Sequence, residues 1–134
     1  EHMNQEVIGK AILDAAFKVH TKPGPGLLES VYEAAMAGEL RKRGHQVERQ
    51  KPIPVFYDGE LLDEVGFRAG LIVNSLVLVE LKSVSNVTEL FKKTTWNYLH
   101  LIPLQLGFLI NFNELHLKDG ITRITNGAEG KSFF

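Results

Sequence analysis

Apolar residues recur at helical spacing in two segments near the start of the chain, residues 4–20 and 28–43. In the first segment they fall on one side, which predicts an amphipathic helix that packs one face against a core. That face comprises Ile8, Ile12, Ala15, Ala16 and Val19. The prolines and glycines of residues 22–26 cannot continue a helix, so they predict a tight loop between the two helices.

The second segment, residues 28–43, predicts a helix that ends at Gly44 in a left-handed cap. We expect its core-facing side to contain Val31, Ala35 and Leu40. Its charged residues are expected to face solvent, because unpaired charges are rarely buried. They are Glu33, Glu39, Arg41 and Arg43.

Residues 45–57 predict an extended segment that ends in Val55-Phe56-Tyr57. Pro52 and Pro54 have no main-chain donor, which places this segment at a sheet edge or in irregular structure. The Asp58-Gly59 pair is typical of a tight turn, and we expect it to reverse the chain.

A third helix is predicted over residues 87–101. Asn86 followed by Glu89 has the spacing of an N-terminal capping box. Pro103 is expected to end the helix, since proline cannot continue it. The residues predicted to face the sheet are Leu90, Tyr98 and Leu101.

Near-continuous apolar runs at residues 67–73, 76–82 and 106–112 predict strands buried on both faces. The strand over 106–112 should run parallel to 76–82, because a helix connects the two. Residues 121–125 predict a short last strand. The predicted order, α-α-β-β-β-α-β, gives an α/β fold with a mixed β-sheet flanked by helices.

The length of 134 residues suits one domain, which we predict over residues 4–134. A net charge of −1 excludes a strong overall attraction to polyanions, although a local basic groove stays open. The absence of cysteine excludes disulfides and thiol nucleophiles and fits a reducing compartment. We therefore predict a cytoplasmic protein without a membrane span, and we interpret residues 1–3 as a cloning remnant followed by a start methionine.

Candidate chemistry centres on Glu80 and Lys82, a carboxylate and an amine at the end of a predicted buried strand. Residues two apart on a strand share a face, so both charges point the same way. Carboxylates and a main-chain carbonyl can hold a hard cation such as Mg²⁺, while a lysine orients water or stabilises charge on a phosphate. The pair fits metal-assisted phosphodiester hydrolysis; a structural ion pair at a strand end is the alternative.

The heptapeptide Gly26-Leu27-Leu28-Glu29-Ser30-Val31-Tyr32 matches the GxxExxY signature. With Gly66-Phe67-Arg68-Ala69 and Val79-Glu80-Leu81-Lys82 further along, the chain resembles the GxxExxY proteins of the PD-(D/E)XK nuclease superfamily over nearly its whole length. The resemblance implies a restriction-endonuclease-like core and metal-dependent hydrolysis of nucleic acid, with DNA preferred to RNA as the partner. Homo-oligomerisation stays open.

The resemblance also implies which residues line a common pocket: Glu29, Glu80, Lys82 and Tyr98. Glu80, Glu29 and the Leu81 carbonyl would hold Mg²⁺ or Mn²⁺ if the protein is active, and an inactive chain would need no cofactor. Simpler roles stay open for two of these residues. Glu29 is a favourable acid for the first turn of a helix, and Tyr98 could be a packed aromatic with a satisfied hydroxyl.

Gly70 departs from the family pattern, which continues Arg-Ala with an aspartate, the principal metal ligand. Glycine offers no side-chain oxygen, so we expect a weakened metal site and impaired hydrolysis. The alternative is a non-catalytic module that binds nucleic acid or another protein. Asp63 or Glu64 could supply a replacement carboxylate.

The length of the loop between residues 67–73 and 76–82 tests whether position 70 belongs to this site. A two-residue turn would leave Glu80 on the opposite face from Gly70. A three-residue loop, 74–76, pairs Val73 with Val77 and brings Gly70 and Glu80 to one face. The nuclease hypothesis therefore predicts an odd-length loop or a bulge.

Two further groups of residues carry weaker signals. Lys92 and Lys93 beside Trp96 fit a basic and aromatic patch for a nucleic-acid strand, or a solvated helix face beside a buried tryptophan. The histidines are scattered without a pair at metal-ligand spacing. We therefore assign the histidines no function from sequence.

Overall fold

The computed structural model describes residues 4–62 and 67–127. The interpretation of residues 1–3 as a cloning remnant lies outside those ranges. The helices are α1 (Gln5–Thr21), α2 (Glu29–Lys42) and α3 (Glu89–Leu101), and a short 3-10 helix spans Leu117–Gly120. The strands are β1 (Val47–Pro52), β2 (Phe56–Tyr57), β3 (Glu60–Leu61), β4 (Arg68–Val73), β5 (Val77–Lys82), β6 (Leu106–Asn111) and β7 (Ile121–Thr125).

The main sheet has five strands in the order β1-β4-β5-β6-β7, and β2 and β3 form a separate hairpin. β5 and β6 are parallel and are connected through α3, while the other neighbours in the main sheet are antiparallel. This arrangement confirms the predicted α/β fold with a mixed sheet flanked by helices, and the predicted parallel pairing of the strands around residues 76–82 and 106–112. Within residues 4–62 and 67–127, no helix has the length and apolarity needed to cross a membrane.

Helices cover both faces of this sheet. α1 begins at Asn4, whose side chain caps the helix by accepting a hydrogen bond from the Val7 N–H at 3.0 Å. α1 and α2 pack on one face and share a core with alternate residues of β5 and β6. α3 covers the opposite face, where Leu99 packs in a second cluster with Ile72 and Leu78. The central strands are therefore shielded from water on both sides.

The buried face of α2 differs from the predicted one. Val31 is 46% exposed, whereas Tyr32, Met36 and Leu40 are fully buried. These three aromatic and long aliphatic residues follow one another at intervals of four, so they form a single stripe that fills the core. Glu33 lies beside that stripe and is only 5% exposed, so its predicted exposure is wrong.

The start of α3 also differs from the prediction. The N-cap is Thr88, whose hydroxyl accepts from the Phe91 N–H at 3.3 Å, and not Asn86. Leu90 then falls on the outer side of the helix and is 70% exposed, which overturns its predicted contact with the sheet. Tyr98 and Leu101 do pack against the second core cluster, as predicted.

The turn predictions hold. Asp58 and Gly59 both have positive φ and join β2 to β3 as a two-residue hairpin turn. Gly44 has a φ of +92° after the end of α2, the conformation expected of a left-handed cap. β1, which ends at Pro52, is an edge strand of the main sheet.

The loop between β4 and β5 has three residues, 74–76, because Val73 pairs with Val77. This confirms the odd-length loop that the nuclease hypothesis requires. Asn74 has a φ of +52°, and its side-chain oxygen accepts from the Gln46 N–H at 2.8 Å. Its side-chain nitrogen donates to His45 Nδ1 at 2.8 Å. Asn74 therefore holds the loop through both its backbone conformation and its side chain.

We expect Asn74→Ala to lower the free energy of unfolding by about 2 to 3 kcal/mol, because it removes two hydrogen bonds and places alanine at positive φ. Asn74→Gly removes the same hydrogen bonds but tolerates the φ, so it should cost about 1 to 2 kcal/mol. Urea unfolding of the three proteins measures both values. An alanine variant within about 0.5 kcal/mol of the parent would show that this loop does not depend on Asn74.

Candidate functional site

Gly70 and Glu80 lie side by side where β4 and β5 separate. The pairing between β4 and β5 ends at Leu71 and Val79, one residue before Gly70 and Glu80. The Gly70 N–H donates to Glu80 Oε2 at 2.7 Å, so a side chain accepts the hydrogen bond at this point. A Cβ atom at position 70 would lie 3.4 Å from the same Glu80 oxygen. A side chain at position 70 would therefore begin within the site.

The pKa of Glu80 is raised from 4.5 to about 7. Burial is the main cause, because it penalises the charged form. The hydrogen bond from Gly70 and the positive charge of Lys82 act in the opposite direction, and the negative charges of Glu29 and Glu33 raise the pKa further. Near neutral pH this carboxyl group is therefore close to the midpoint of its titration.

Glu33 is the site residue that the sequence argument missed. Its Oε2 lies 3.6 Å from the Cβ position of residue 70 and accepts from Gln50 Nε2 at 2.7 Å. Its Oε1 pairs with Arg49 Nε at 3.3 Å. The stripe formed by Tyr32 and the residues four and eight positions later would have indicated that Glu33 lies at the edge of the buried face of α2.

Glu29 and Lys82 interact electrostatically with Glu80. Glu29 stands exposed in the first turn of α2, where the helix dipole favours an acid, and raises the Glu80 pKa. Lys82 is half-buried and lowers that pKa. Its ammonium group lies 4.5 Å from the centre of the Phe91 ring, a cation–π contact that links the end of β5 to the start of α3.

Tyr98 approaches the site from α3. Burial raises its pKa, and the negative charge of Glu80 adds to the increase. Its ring lies 5.4 Å from that of Phe67, so it also packs as an aromatic residue. The side chain of Leu81 is buried in the core shared with α1 and α2, which leaves only its main chain for the predicted metal contact.

Side-chain hydrogen bonds fix the segments around the site. The Ser83 hydroxyl donates to the Leu27 carbonyl at 2.6 Å, which joins the chain after β5 to the loop before α2. The Tyr32 hydroxyl donates to the Gly24 carbonyl and accepts from the Leu27 N–H. Asn111 is fully buried and bonds both the N–H and the carbonyl of Val84. The site and the proline- and glycine-containing loop are therefore held together.

The contacts of Lys92 and Lys93 on α3 distinguish between the two predicted roles of this surface, a nucleic-acid patch and a solvated helix face. Lys92 pairs with Glu89 at 3.3 Å, and the Lys93 ammonium lies 4.0 Å from the centre of the Trp96 ring. Trp96 is half-buried and also lies against the His100 ring. Because its ring already contacts two neighbours, this surface fits a solvated helix face better than a stacking platform for bases.

A hard divalent cation needs several oxygen ligands. In the parts of the chain that the structure describes, no group of three or more His, Asp or Glu side chains could hold a metal ion. Glu33 is held by Arg49 and Gln50, and Glu80 by the Gly70 N–H. The side chains as arranged do not fit an ion bound by three carboxylates. The predicted set, which uses two carboxylates and the Leu81 carbonyl, stays a prediction.

Asp63 and Glu64, the candidates for a replacement carboxylate, lie outside the described residues.

Comparison with known families identifies the fold. A family model described as PD-(D/E)XK nuclease superfamily matches residues 6–124. The chain belongs to the PD-(D/E)XK nuclease superfamily. Neither a curated protein nor a solved structure matches it. The match covers both central strands and the helices on either side, so the five-stranded sheet is the core of a restriction-endonuclease-like fold.

Membership of the PD-(D/E)XK superfamily supports a nuclease-like function and an interaction with nucleic acid. Nucleases of this superfamily usually use divalent metal ions. In this member the carboxylate Glu80 and the amine Lys82 are both present at the end of β5, while the neighbouring strand offers Gly70.

The raised pKa of Glu80 predicts a pH dependence of stability. A carboxyl group whose pKa is higher in the folded state binds more protons there, so folding stability falls as pH rises from about 4.5 to about 7. The loss should reach up to about 3 kcal/mol. Glu80→Gln cannot ionise and should remove this fall, which urea unfolding between pH 5 and 8 would measure.

Glu60→Gln is the matched control, since it makes the same substitution at an exposed position on β3. It should leave the pH dependence of the parent unchanged. If Glu80→Gln shows the same slope as the parent over this range, the Glu80 pKa is not raised.

Proposed function

We propose that this protein is a nuclease-like domain whose ancestral chemistry is metal-dependent hydrolysis of phosphodiester bonds in nucleic acid, and that hydrolysis is impaired because residue 70 is glycine. One observation carries the proposal. The Cβ position of residue 70 lies within 3.4 Å of Glu80 Oε2 and 3.6 Å of Glu33 Oε2, so an aspartate there would join two carboxylates. Glycine leaves that cluster one acid short.

The proposed roles of the other residues come from the resemblance to the GxxExxY proteins. Glu80, Glu29 and the Leu81 carbonyl are the oxygen donors, and Lys82 acts near the attacking water or the phosphate. Tyr98 lines the pocket. A divalent ion such as Mg²⁺ or Mn²⁺ supplies charge neutralisation at the phosphate in chemistry of this kind. Support for these roles comes from the Glu80 pKa, which responds to the charges of both Glu29 and Lys82.

The proposal includes membership of the GxxExxY proteins, which Gly26, Glu29 and Tyr32 support. It also includes DNA as the polymer in preference to RNA. A cytoplasmic location belongs to the proposal as well, and the absence of cysteine supports it. Self-association is left open.

A second candidate function is that of a non-catalytic module that binds nucleic acid or another protein. The observation that favours it is the way in which the acids are satisfied within the protein. Glu80 accepts from the Gly70 N–H, and Glu33 accepts from Arg49 and Gln50. Buried polar groups that already have partners do not require a cation to stabilise them.

Gly70→Asp tests the proposal. With Mg²⁺ or Mn²⁺ it should cleave plasmid or short DNA at least about 10 times faster than the parent, because even residues that only support the ligands of a metal site change activity by about 10 to 100 times. Lys82→Ala in the same background should abolish the gain. Gly70→Asn has nearly the same size without the charge and should not gain cleavage.

Thermal unfolding supplies a readout that does not depend on cleavage. Position 70 is tight, because a Cβ there lies 3.0 Å from the Val79 carbonyl, so both variants should be less stable than the parent. Added Mg²⁺ should raise the Tm of Gly70→Asp and leave that of Gly70→Asn unchanged. A folded aspartate variant with neither response would refute a lost metal site. If the parent cleaves DNA as fast as Gly70→Asp and Lys82→Ala abolishes that cleavage, the impairment is refuted but the hydrolytic function is retained.

A further inference from the structure

A cavity of about 560 Å³ lies between the end of α1, the loop of residues 22–26 and the segment that follows β6. We call it the basic cleft. Its lining combines cationic and apolar groups, and none of the described lining residues is Asp or Glu. The residues that matter here are Phe17, His20, Lys22, Leu115, His116 and Lys118.

The two lysines of the basic cleft form no ion pair with the residues that the structure describes. Lys22 and Lys118 are exposed, and over residues 4–62 and 67–127 neither ammonium lies within 4.0 Å of a carboxylate. Lys18, which lies in the last turn of α1, pairs instead with Glu39 at 3.2 Å. The cleft therefore presents a local positive charge on a protein whose net charge is −1.

His20 forms the buried wall of the cleft. Its Nε2 lies 2.8 Å from the Glu114 carbonyl, and because a carbonyl only accepts, Nε2 must carry the hydrogen. The ring also lies 6.3 Å from that of Phe112. These two contacts fix the imidazole.

Apolar groups occupy the rim of the same cavity. Phe17 is 44% exposed and Leu115 is 76% exposed, although both are large hydrophobic side chains. A phosphate joined to a flat, apolar ring would match both the lysines and this rim. That combination is the chemistry of a nucleotide, which stacks its base on apolar or aromatic side chains while lysines bind its phosphate.

We propose that the basic cleft binds one nucleotide of a nucleic-acid strand, with Lys22 and Lys118 on its phosphates and Phe17 and Leu115 against its base. The inference rests on the proposed function, since the strand would also reach Glu80. The connection is short. From Lys22 to Glu29 the chain takes seven residue steps, which span at most about 25 Å.

Hydrogen bonds also hold the segment that leads from the cleft toward the candidate site. The Gly24 carbonyl accepts from Tyr32, and the Leu27 carbonyl accepts from Ser83, the residue after Lys82. A strand that follows the loop of residues 22–26 therefore leads from the basic cleft to the end of β5.

The test is the salt dependence of binding to a fluorescein-labelled single-stranded oligothymidylate, measured by fluorescence anisotropy from 50 to 200 mM salt. Log K falls linearly as log salt rises, and each phosphate contact on a single strand adds about 0.7 to the magnitude of this decline, which we call the slope. Lys22→Gln with Lys118→Gln should therefore lower the slope by about 1.4. The matched control is Lys10→Gln with Lys42→Gln, which removes the same charge from exposed positions elsewhere and should leave the slope unchanged.

A second readout uses a single nucleotide. Titration of the ¹⁵N-labelled parent with thymidine 5′-monophosphate should shift amide resonances in residues 20–25 and 115–118. Any of three results would overturn the proposal that the cleft binds a nucleotide. They are an unchanged slope in the Lys22 and Lys118 double variant, an equal fall of the slope in the control, and the absence of shifts in those residues.

The outcome for the cleft can be separated from that for the proposed function. Cleavage gained by Gly70→Asp, with an unchanged slope in the lysine variant, supports the proposed function and contradicts nucleotide binding in the cleft. A lowered slope in the lysine variant, without any gain of cleavage in Gly70→Asp, supports nucleotide binding in the cleft and contradicts the proposal of a lost hydrolytic site.

Discussion

The hydrogen bond between the Gly70 N–H and the Glu80 carboxylate holds an acid in β5, a central strand whose other residues are apolar except Lys82. Burial of a carboxylate is unfavourable unless hydrogen bonds or opposite charges offset it. Here the hydrogen bond and Lys82 offset part of the penalty, and the remainder appears as the raised pKa. The helices on both faces of the sheet, which exclude water, are therefore what gives this acid its unusual protonation.

The GxxExxY signature divides into structural and chemical parts. Gly26 has a φ of +106°, which few other residues adopt, and Tyr32 is buried with its ring 4.7 Å from that of Phe112. Both residues shape the loop before α2. Of the three signature residues, Glu29 is the one whose charge acts on Glu80 at the end of β5. Two of the three signature residues therefore stabilise the loop before α2, and one contributes to the electrostatics of the adjoining site.

The arrangement of the central strands could be predicted from sequence because it depends on local rules. Loop length sets which residues face one another across a hairpin, and the nuclease hypothesis required an odd number between Val73 and Val77, which the structure has. The parallel pairing of β5 and β6 followed from the helix between them.

Other features depended on contacts that local patterns do not contain. Two neighbouring stripes of α2, one through Val31 and one through Tyr32, are both apolar, and packing against α1 and the sheet selects the second. That choice decides whether Glu33 is buried. Asn86 and Thr88 are both capping residues, and the position of the chain after β5 determines which of them begins α3. The raised pKa of Glu80 likewise exists only after burial.

The central position of β5 has a consequence for how the protein moves. β5 lies between β4 and β6, and the residues of β6 are buried throughout. Strands of this kind usually exchange their amide hydrogens only when the whole molecule unfolds. Glu80 and Lys82 therefore keep their backbone positions during ordinary native-state fluctuations.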